Sequence, residues 1–155
     1  MCNNMVASQI FFFKEKKYPN KNAQLALEKV YSNEEEMKQY MIGLAISQFL
    51  WSTHYEMYLF LLQNIWKYRT SIKKYLEIGP GHGLFLTEAI KILGNDADFS
   101  AVDISKTSLN ITRSIIEYLN KDKVNVNYFQ QDFNSFDQKT KYDFITMGEV
   151  LEHVD

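Results

Sequence analysis

The run Tyr75-Leu76-Glu77-Ile78-Gly79-Pro80-Gly81-His82-Gly83-Leu84 constrains this chain more than any other stretch. A short apolar strand runs straight into a turn with glycine at every second position. An amphipathic pattern follows, with Phe85, Ala89, Ile92 and Leu93 on one side. Residues without a Cβ allow a tight bend and let a ligand come close to the main chain. The unpaired N–H groups that open the next helix attract an anion or a carboxylate. This strand–turn–helix is expected to bind a cofactor, the bland alternative being a βα connection that binds nothing. A dinucleotide fingerprint, G-x-G-x-x-G, would need a third glycine at position 84, where this chain has Leu84.

Downstream spacing extends the pattern. Residues 98–103 read as a second strand ending in Asp103, at the place where a βαβ unit sets an acid to accept hydrogen bonds from ribose hydroxyls. That role suits any nucleoside ligand. A helix is expected over 106–120, with Leu109, Ile115, Ile116 and Leu119 apolar. Residues 123–129 alternate Val124, Val126 and Tyr128 against Asn125 and Asn127, a half-buried strand whose Asn-rich face suits a sheet edge. Gln130-Gln131-Asp132-Phe133 follows. A fourth strand is expected over 142–147, and Gly148-Glu149-Val150-Leu151-Glu152-His153-Val154 opens the next element. Strand and helix alternate from residue 74 onward, which implies an α/β fold, a Rossmann-like doubly wound parallel sheet with right-handed crossovers. Ligands bind such sheets at the carboxyl ends of the strands.

The first seventy residues read differently. Ile10, Phe11, Phe12 and Phe13 are candidates to pack on the domain, and a short helix is expected over 23–31. Ser32-x-x-Glu35 and Thr53-x-x-Glu56 read as two capping boxes. The helices they open carry apolar stripes, Met37, Tyr40, Met41, Leu44, Ala45, Gln48 and Phe49, then Met57, Tyr58, Leu61, Leu62, Ile65 and Tyr68. At their joint, Trp51 and Tyr55 read as core aromatics and His54 as a surface cap residue, the alternative being a joint that faces substrate. The chain is therefore divided into a helical cap segment, 1–70, and a sheet domain, 71–155.

Composition narrows the function classes. With 155 residues and 46 % apolar side chains the chain is long enough for one real core. A net charge of −2 provides no global basic field to draw nucleic acid. The single cysteine, Cys2, excludes a disulfide framework or a CxxC zinc knuckle within this sequence and fits a cytoplasmic location. Polar residues interrupt the uncharged stretch 39–55, against a membrane span.

The pattern Glu77-x-Gly79-x-Gly81-x-Gly83 resembles the first motif of the class I S-adenosylmethionine-dependent methyltransferases. Tyr142-Asp143-Phe144-Ile145, followed by Glu149-Val150-Leu151-Glu152-His153-Val154, resembles the fourth-strand motif of small-molecule and RNA O-methyltransferases, ubiquinone-pathway enzymes among them. The resemblance implies roles for the residues at these places. Glu77 would face the methionine end of S-adenosyl-L-methionine while Gly79, Gly81 and Gly83 wrap it. Asp103 and Ile104 would hold the adenosine, Asp132 would accept from the adenine amino group, and the N–H of Phe133 would meet a ring nitrogen. Glu149 would lie near the methionine end.

On a helix Glu149, Glu152 and His153 would share one face. Two carboxylates and an imidazole suit a divalent ion such as Mg²⁺ or Zn²⁺, as the resemblance to metal-using methyltransferases also suggests. For a general base only His54 and His153 are candidates; His82 reads as a solvent-facing spacer in the turn. The resemblance further implies strand order 3-2-1-4 and three later strands that are absent, hence a C-terminally truncated domain whose fourth strand is an open edge, prone to self-association or pairing with a partner chain. The expected activity is methyl transfer to oxygen or nitrogen of a small molecule. Alternatives are a non-catalytic cofactor-binding fragment, an RNA 2′-O-methyltransferase-like enzyme, and a nicotinamide oxidoreductase.

Overall fold

A computed structural model describes residues 10–11, 13–16, 34–119, 124–136 and 139–151. Two helices, α1 (Glu34–Leu50) and α2 (Ser52–Tyr68), precede the sheet. Then come β1 (Lys74–Ile78), α3 (Leu84–Leu93), a short 3₁₀ turn (Gly94–Asp96), β2 (Asp98–Asp103), α4 (Lys106–Leu119), β3 (Val126–Gln130), a second 3₁₀ turn (Phe133–Ser135) and β4 (Phe144–Met147).

All three strand pairings are parallel and the order is β3-β2-β1-β4, as expected from the alternation and the resemblance. Register places Val126, Phe99, Tyr75 and Phe144 in one row across the sheet, and Tyr128, Ala101, Glu77 and Thr146 in the next row on the same face. That face packs under Leu61 and Ile65 of α2, Leu86, Ala89, Ile90 and Leu93 of α3, and Leu109 and Ile116 of α4. Tyr75 is at its centre, stacked on Phe144 at 5.9 Å and tilted against Phe99 at 5.9 Å. Its hydroxyl is satisfied by Thr146 Oγ1 at 2.7 Å, as a buried tyrosine requires. The α3 stripe is thus Leu86, Ala89, Ile90 and Leu93, while Phe85 and Ile92 lie at its margin.

The entry to β4 is pinned to the entry to β1 by one side chain. Asp143 Oδ2 accepts from the N–H groups of Lys73 (3.0 Å) and Lys74 (2.9 Å), and its own N–H donates to the Lys74 carbonyl (2.9 Å). Charge-assisted bonds at an exposed strand end are modest, so Asp143→Ala is expected to cost about 1–2 kcal/mol. Urea denaturation of the two proteins measures this; an unchanged midpoint would show that main-chain pairing and packing hold β4 without the Asp143 carboxylate.

The helical segment departs from expectation in several places. Only Met37, Met41 and Gln48 of the α1 stripe and Leu61 and Ile65 of the α2 stripe are buried, since a two-helix layer touches the body along one narrow line. Helix α2 opens at Ser52 with Trp51 as its cap and no side-chain capping bond, so the Thr53–Glu56 box does not form. Trp51 is extended (φ −105°, ψ 126°), yet its N–H still reaches the Ser47 carbonyl (3.0 Å) and its carbonyl takes the Tyr55 N–H (2.9 Å). One residue therefore makes the whole joint. Trp51 and Tyr55 are 45 % and 43 % exposed, so they are not core aromatics. Ile10, Phe11 and Phe13 are exposed as well. The expected helix over 23–31 and the Ser32 cap lie outside the described residues. Among the described residues no helix is long and apolar enough to cross a membrane.

Candidate functional site

Parallel strands deliver their carboxyl ends to one edge, and the residues expected to hold the cofactor arrive there. Beyond Ile78 the Gly79 N–H donates to the Val102 carbonyl (2.8 Å), so β1 stays beside β2 into the turn. The Gln131 N–H donates to the Asp103 carbonyl (3.0 Å), which brings Asp132 and Phe133 next to the end of β2. On the other side Met147 pairs with Ile78 and leads into Gly148 and Glu149. Glu77, Gly79, Gly81, Gly83, Asp103, Ile104, Asp132, Phe133 and Glu149 therefore share one rim. Glu77 and Asp103, on neighbouring strands, are not separated to opposite flanks.

Glu77 occupies a core-face position where neighbouring rows hold apolar or hydroxyl side chains. It is 3 % exposed, and its Oε2 has no hydrogen-bond partner among the described residues. Burial pushes its carboxyl up to about 8, only partly opposed by the hydrogen bond from Tyr75. A buried carboxylate with one oxygen unsatisfied is costly, and a cation placed against it would lower that cost. This is the most unusual electrostatic feature of the rim.

The turn itself is left-handed at Gly79, Gly81 and Gly83 (φ +65°, +53° and +72°). Sequence reasoning assigns these glycines to ligand approach, whereas the structure gives their Cβ directions to the protein. Side chains of Val150, Met41 and Thr112 fill them. Helix α1 thus sits on the turn through Met41, and α4 through Thr112, whose hydroxyl also donates to the Gly81 carbonyl (3.0 Å). Neither contact was legible in the chain beforehand, because both are between residues far apart in sequence.

His82 is not the solvent-facing spacer expected. It is 8 % exposed, sits edge-on to Phe85, and burial pushes it down to about 4. Its Nδ1 accepts from the Leu84 N–H (3.0 Å), which satisfies one of the donors at the start of α3 where Gly83 offers no side chain.

Asp103 is held in place before any ligand arrives. Oδ1 accepts from the Ser105 N–H (2.8 Å), Oδ2 from the Ser108 hydroxyl, and the Gly81 N–H adds a third bond. Burial raises its carboxyl while these donors lower it. A carboxylate has about four acceptor sites, so a grip on two hydroxyls requires the Ser108 hydroxyl to turn away. Beside it Ile104 is 44 % exposed, an apolar surface at the rim. Asp132 caps the 3₁₀ turn, accepting from the Asn134 N–H (2.9 Å).

Glu149 is the one described residue of the expected metal group. It has a left-handed backbone (φ +53°), and its Oε1 lies 3.1 Å from His54 Nε2. Glu152 and His153 fall outside the described residues, and with them the second candidate base. Among the described residues no three His, Cys, Asp or Glu side chains are grouped to hold a metal. His54, expected at the surface, is instead largely buried, with its Nδ1 2.8 Å from Ser47 Oγ.

The methyltransferase domain family matches residues 76–155, just over half of the chain. No curated protein matches. A solved structure from Methanococcus maripaludis, assigned as an S-adenosyl-L-methionine-dependent methyltransferase, is 21 % identical with a TM-score of 0.60 and covers 79 % of this chain and 53 % of its own. A SAM-dependent methyltransferase from Aquifex aeolicus is 19 % identical, TM-score 0.52, over 74 % of this chain and 56 % of its own. The N-methyltransferase NodS from Bradyrhizobium japonicum, in complex with S-adenosyl-L-homocysteine, is 16 % identical, TM-score 0.51, over 80 % of this chain and 55 % of its own. These likenesses show a shared fold. The chain spans little more than half the length of the structures it matches.

Proposed function

The chain belongs to the methyltransferase domain family, and we propose that it binds S-adenosyl-L-methionine at the carboxyl rim of its sheet for methyl transfer to oxygen or nitrogen of a small-molecule acceptor. The observation that carries this reading is the buried carboxyl of Glu77 beside the glycine turn, with an oxygen lacking a partner among the described residues. Such a group favours a cationic ligand. It disfavours the pyrophosphate of a dinucleotide, which would bring negative charge to the same place. NodS, with its bound S-adenosyl-L-homocysteine, supports a nucleoside thioether in a fold of this kind.

When bound, the cofactor supplies an electrophilic methyl group on a positively charged sulfur. The chain's own residues do the rest. Glu77 places negative charge at the methionine end, and Gly79–Gly83 present main chain without side chains on the ligand side. Asp103 offers its carboxylate to the ribose, Ile104 an apolar surface to the adenine, and Asp132 and the Phe133 N–H its polar edge. In this reading residues 71–155 hold the cofactor and the 1–70 segment covers the turn, with Met41 already seated on Gly81. Excluding water and fixing the distance to an acceptor are the main contributions such a protein makes to a displacement of this type.

Calorimetric titration tests the reading. S-adenosyl-L-homocysteine is expected to bind one-to-one while NAD gives no heat above dilution. Binding of NAD alone would overturn it and point to hydride transfer.

A further inference from the structure

We propose that Ser47, His54 and Glu149 form one hydrogen-bonded chain in which His54 is a positioning residue, fixing the Glu149 carboxylate at the rim and tying the α1–α2 joint to the sheet. His54 Nε2 lies 3.1 Å from Glu149 Oε1 and Nδ1 lies 2.8 Å from Ser47 Oγ. Ser47 Oγ is also 2.7 Å from the Leu44 carbonyl. A hydroxyl has one proton to give. Donated to Leu44, it obliges Nδ1–H to be the donor to Ser47, and Nε2 is then taken up by Glu149 whichever of the two carries the proton between them. Turned toward Nδ1, it occupies that nitrogen's lone pair, and Nε2–H still faces Glu149. In either arrangement no ring lone pair is left to take a proton from an acceptor. His54 therefore orients; it is not the base.

Two further observations make the contact more than a surface pair. The side chains of His54 and Glu149 are only 15 % and 19 % exposed, which limits screening by water and salt. Glu149 also keeps a left-handed backbone that a residue with a Cβ avoids. Such strain persists only where the surroundings over-determine it. Here Gly148 before it packs against the Phe85 ring, Val150 after it packs on Gly79, and its own carboxylate is held by His54. The joint is a single extended residue, Trp51, whose ring lies edge-on to His54 at 4.8 Å. A bond from that joint to the strand-end loop holds the helical layer where Met41 meets the glycine turn.

That the rim is a methyl-donor site rests on the function proposed above; the hydrogen-bonded chain does not. Two measurements on the 155-residue protein separate them. In ¹⁵N-labelled protein a His54 ring N–H signal, identified by its loss in His54→Gln, is expected to be protected from exchange and to move or vanish in Glu149→Ala. In titrations with S-adenosyl-L-homocysteine, His54→Leu is expected to weaken binding about tenfold, as loss of a charge-assisted bond would. His54→Gln, whose amide can still donate to Glu149, is expected to recover most of the loss. The double variant His54→Leu/Glu149→Ala should be no worse than Glu149→Ala alone. Equal losses in the Leu and Gln variants, additive effects in the double variant, or a ring signal indifferent to Glu149→Ala would each overturn the proposal. A wild-type protein that does not bind S-adenosyl-L-homocysteine would overturn the functional reading instead, and the ring signal would then decide the chain by itself.

Discussion

Glu77→Gln is expected to stabilise the ligand-free protein at alkaline pH and, at the same pH, to weaken its hold on S-adenosyl-L-methionine. In the folded chain burial raises the Glu77 carboxyl from 4.5 to about 8. The unfolded chain releases this proton near the lower value, so between the two values the folded state binds more protons. By linkage, stability falls as pH rises from about 4.5 to about 8 and is flat above. The whole interval corresponds to about 5 kcal/mol at 1.36 kcal/mol per pH unit, or on the order of 10–20 °C in melting temperature for a chain of this size. Glutamine is neutral throughout. The variant should match the wild type near pH 5 and pull ahead as pH approaches 8. Ligand binding runs the other way. A cation at the rim favours the ionised carboxylate, so its binding to the wild type expels a proton below pH 8 and tightens with pH by at most tenfold per unit. In the variant that slope disappears. Scanning calorimetry and ligand titration at pH 5, 7 and 9 read both effects. Parallel melting curves for the two proteins across that range would show that the buried carboxyl does not govern stability. A pH slope surviving in the variant would move the cation's partner elsewhere.

The combination of a stability cost and a ligand in one residue explains which parts of this protein were legible in its sequence. Strand periodicity, the glycine turn and the terminal acid of β2 are local patterns, and they located β1, β2 and α4, while alternation gave the parallel sheet and the family resemblance its order. The starts of β3 and β4 moved inward by three and two residues, because strand ends are set by partners, such as Asp143 on Lys73 and Lys74, rather than by composition. What escaped is whatever depends on how side chains meet in three dimensions, near or far in sequence. His82 reads as a polar spacer until Phe85 and the Leu84 N–H are seen to enclose it. His54 reads as a surface cap until Glu149, nearly a hundred positions later, reaches it. Trp51 and Tyr55 read as core from their chemistry alone, yet a joint made of one extended residue turns both outward. The glycines illustrate the limit best. Their spacing announces a special turn, but not that Met41, Thr112 and Val150 are what a Cβ would strike.

That last point separates two substitutions at the ends of the same helix, Gly83→Ala and Gly94→Ala. Both glycines have positive φ, +72° and +59°, so alanine is strained at either. At Gly94, where α3 returns to the amino edge of the sheet, a Cβ would meet nothing within 4 Å. Only backbone strain remains there, but ψ −144° makes the conformation one almost confined to glycine, so the cost is at the upper end of about 1–3 kcal/mol. At Gly83 the new methyl would lie 3.1 Å from Thr112 Cα, main chain of α4 that cannot rotate away. Thr112 is fully buried and its hydroxyl bonds the Gly81 carbonyl, so pushing α4 aside also pulls on the turn. Overpacking of that kind adds about 1–3 kcal/mol to the strain. Gly83→Ala, less strained at ψ 8° but overpacked, is therefore expected to lose about as much stability as Gly94→Ala. More tellingly, it should lose S-adenosyl-L-homocysteine affinity by tenfold or more while Gly94→Ala keeps it, since every 1.4 kcal/mol spent on restoring the turn is about a factor of ten. Urea titration and calorimetry on both variants give the comparison. If Gly94→Ala lost affinity as severely as Gly83→Ala, the effect would belong to α3 as a whole; if Gly83→Ala bound normally, the ligand would not depend on the shape of the turn.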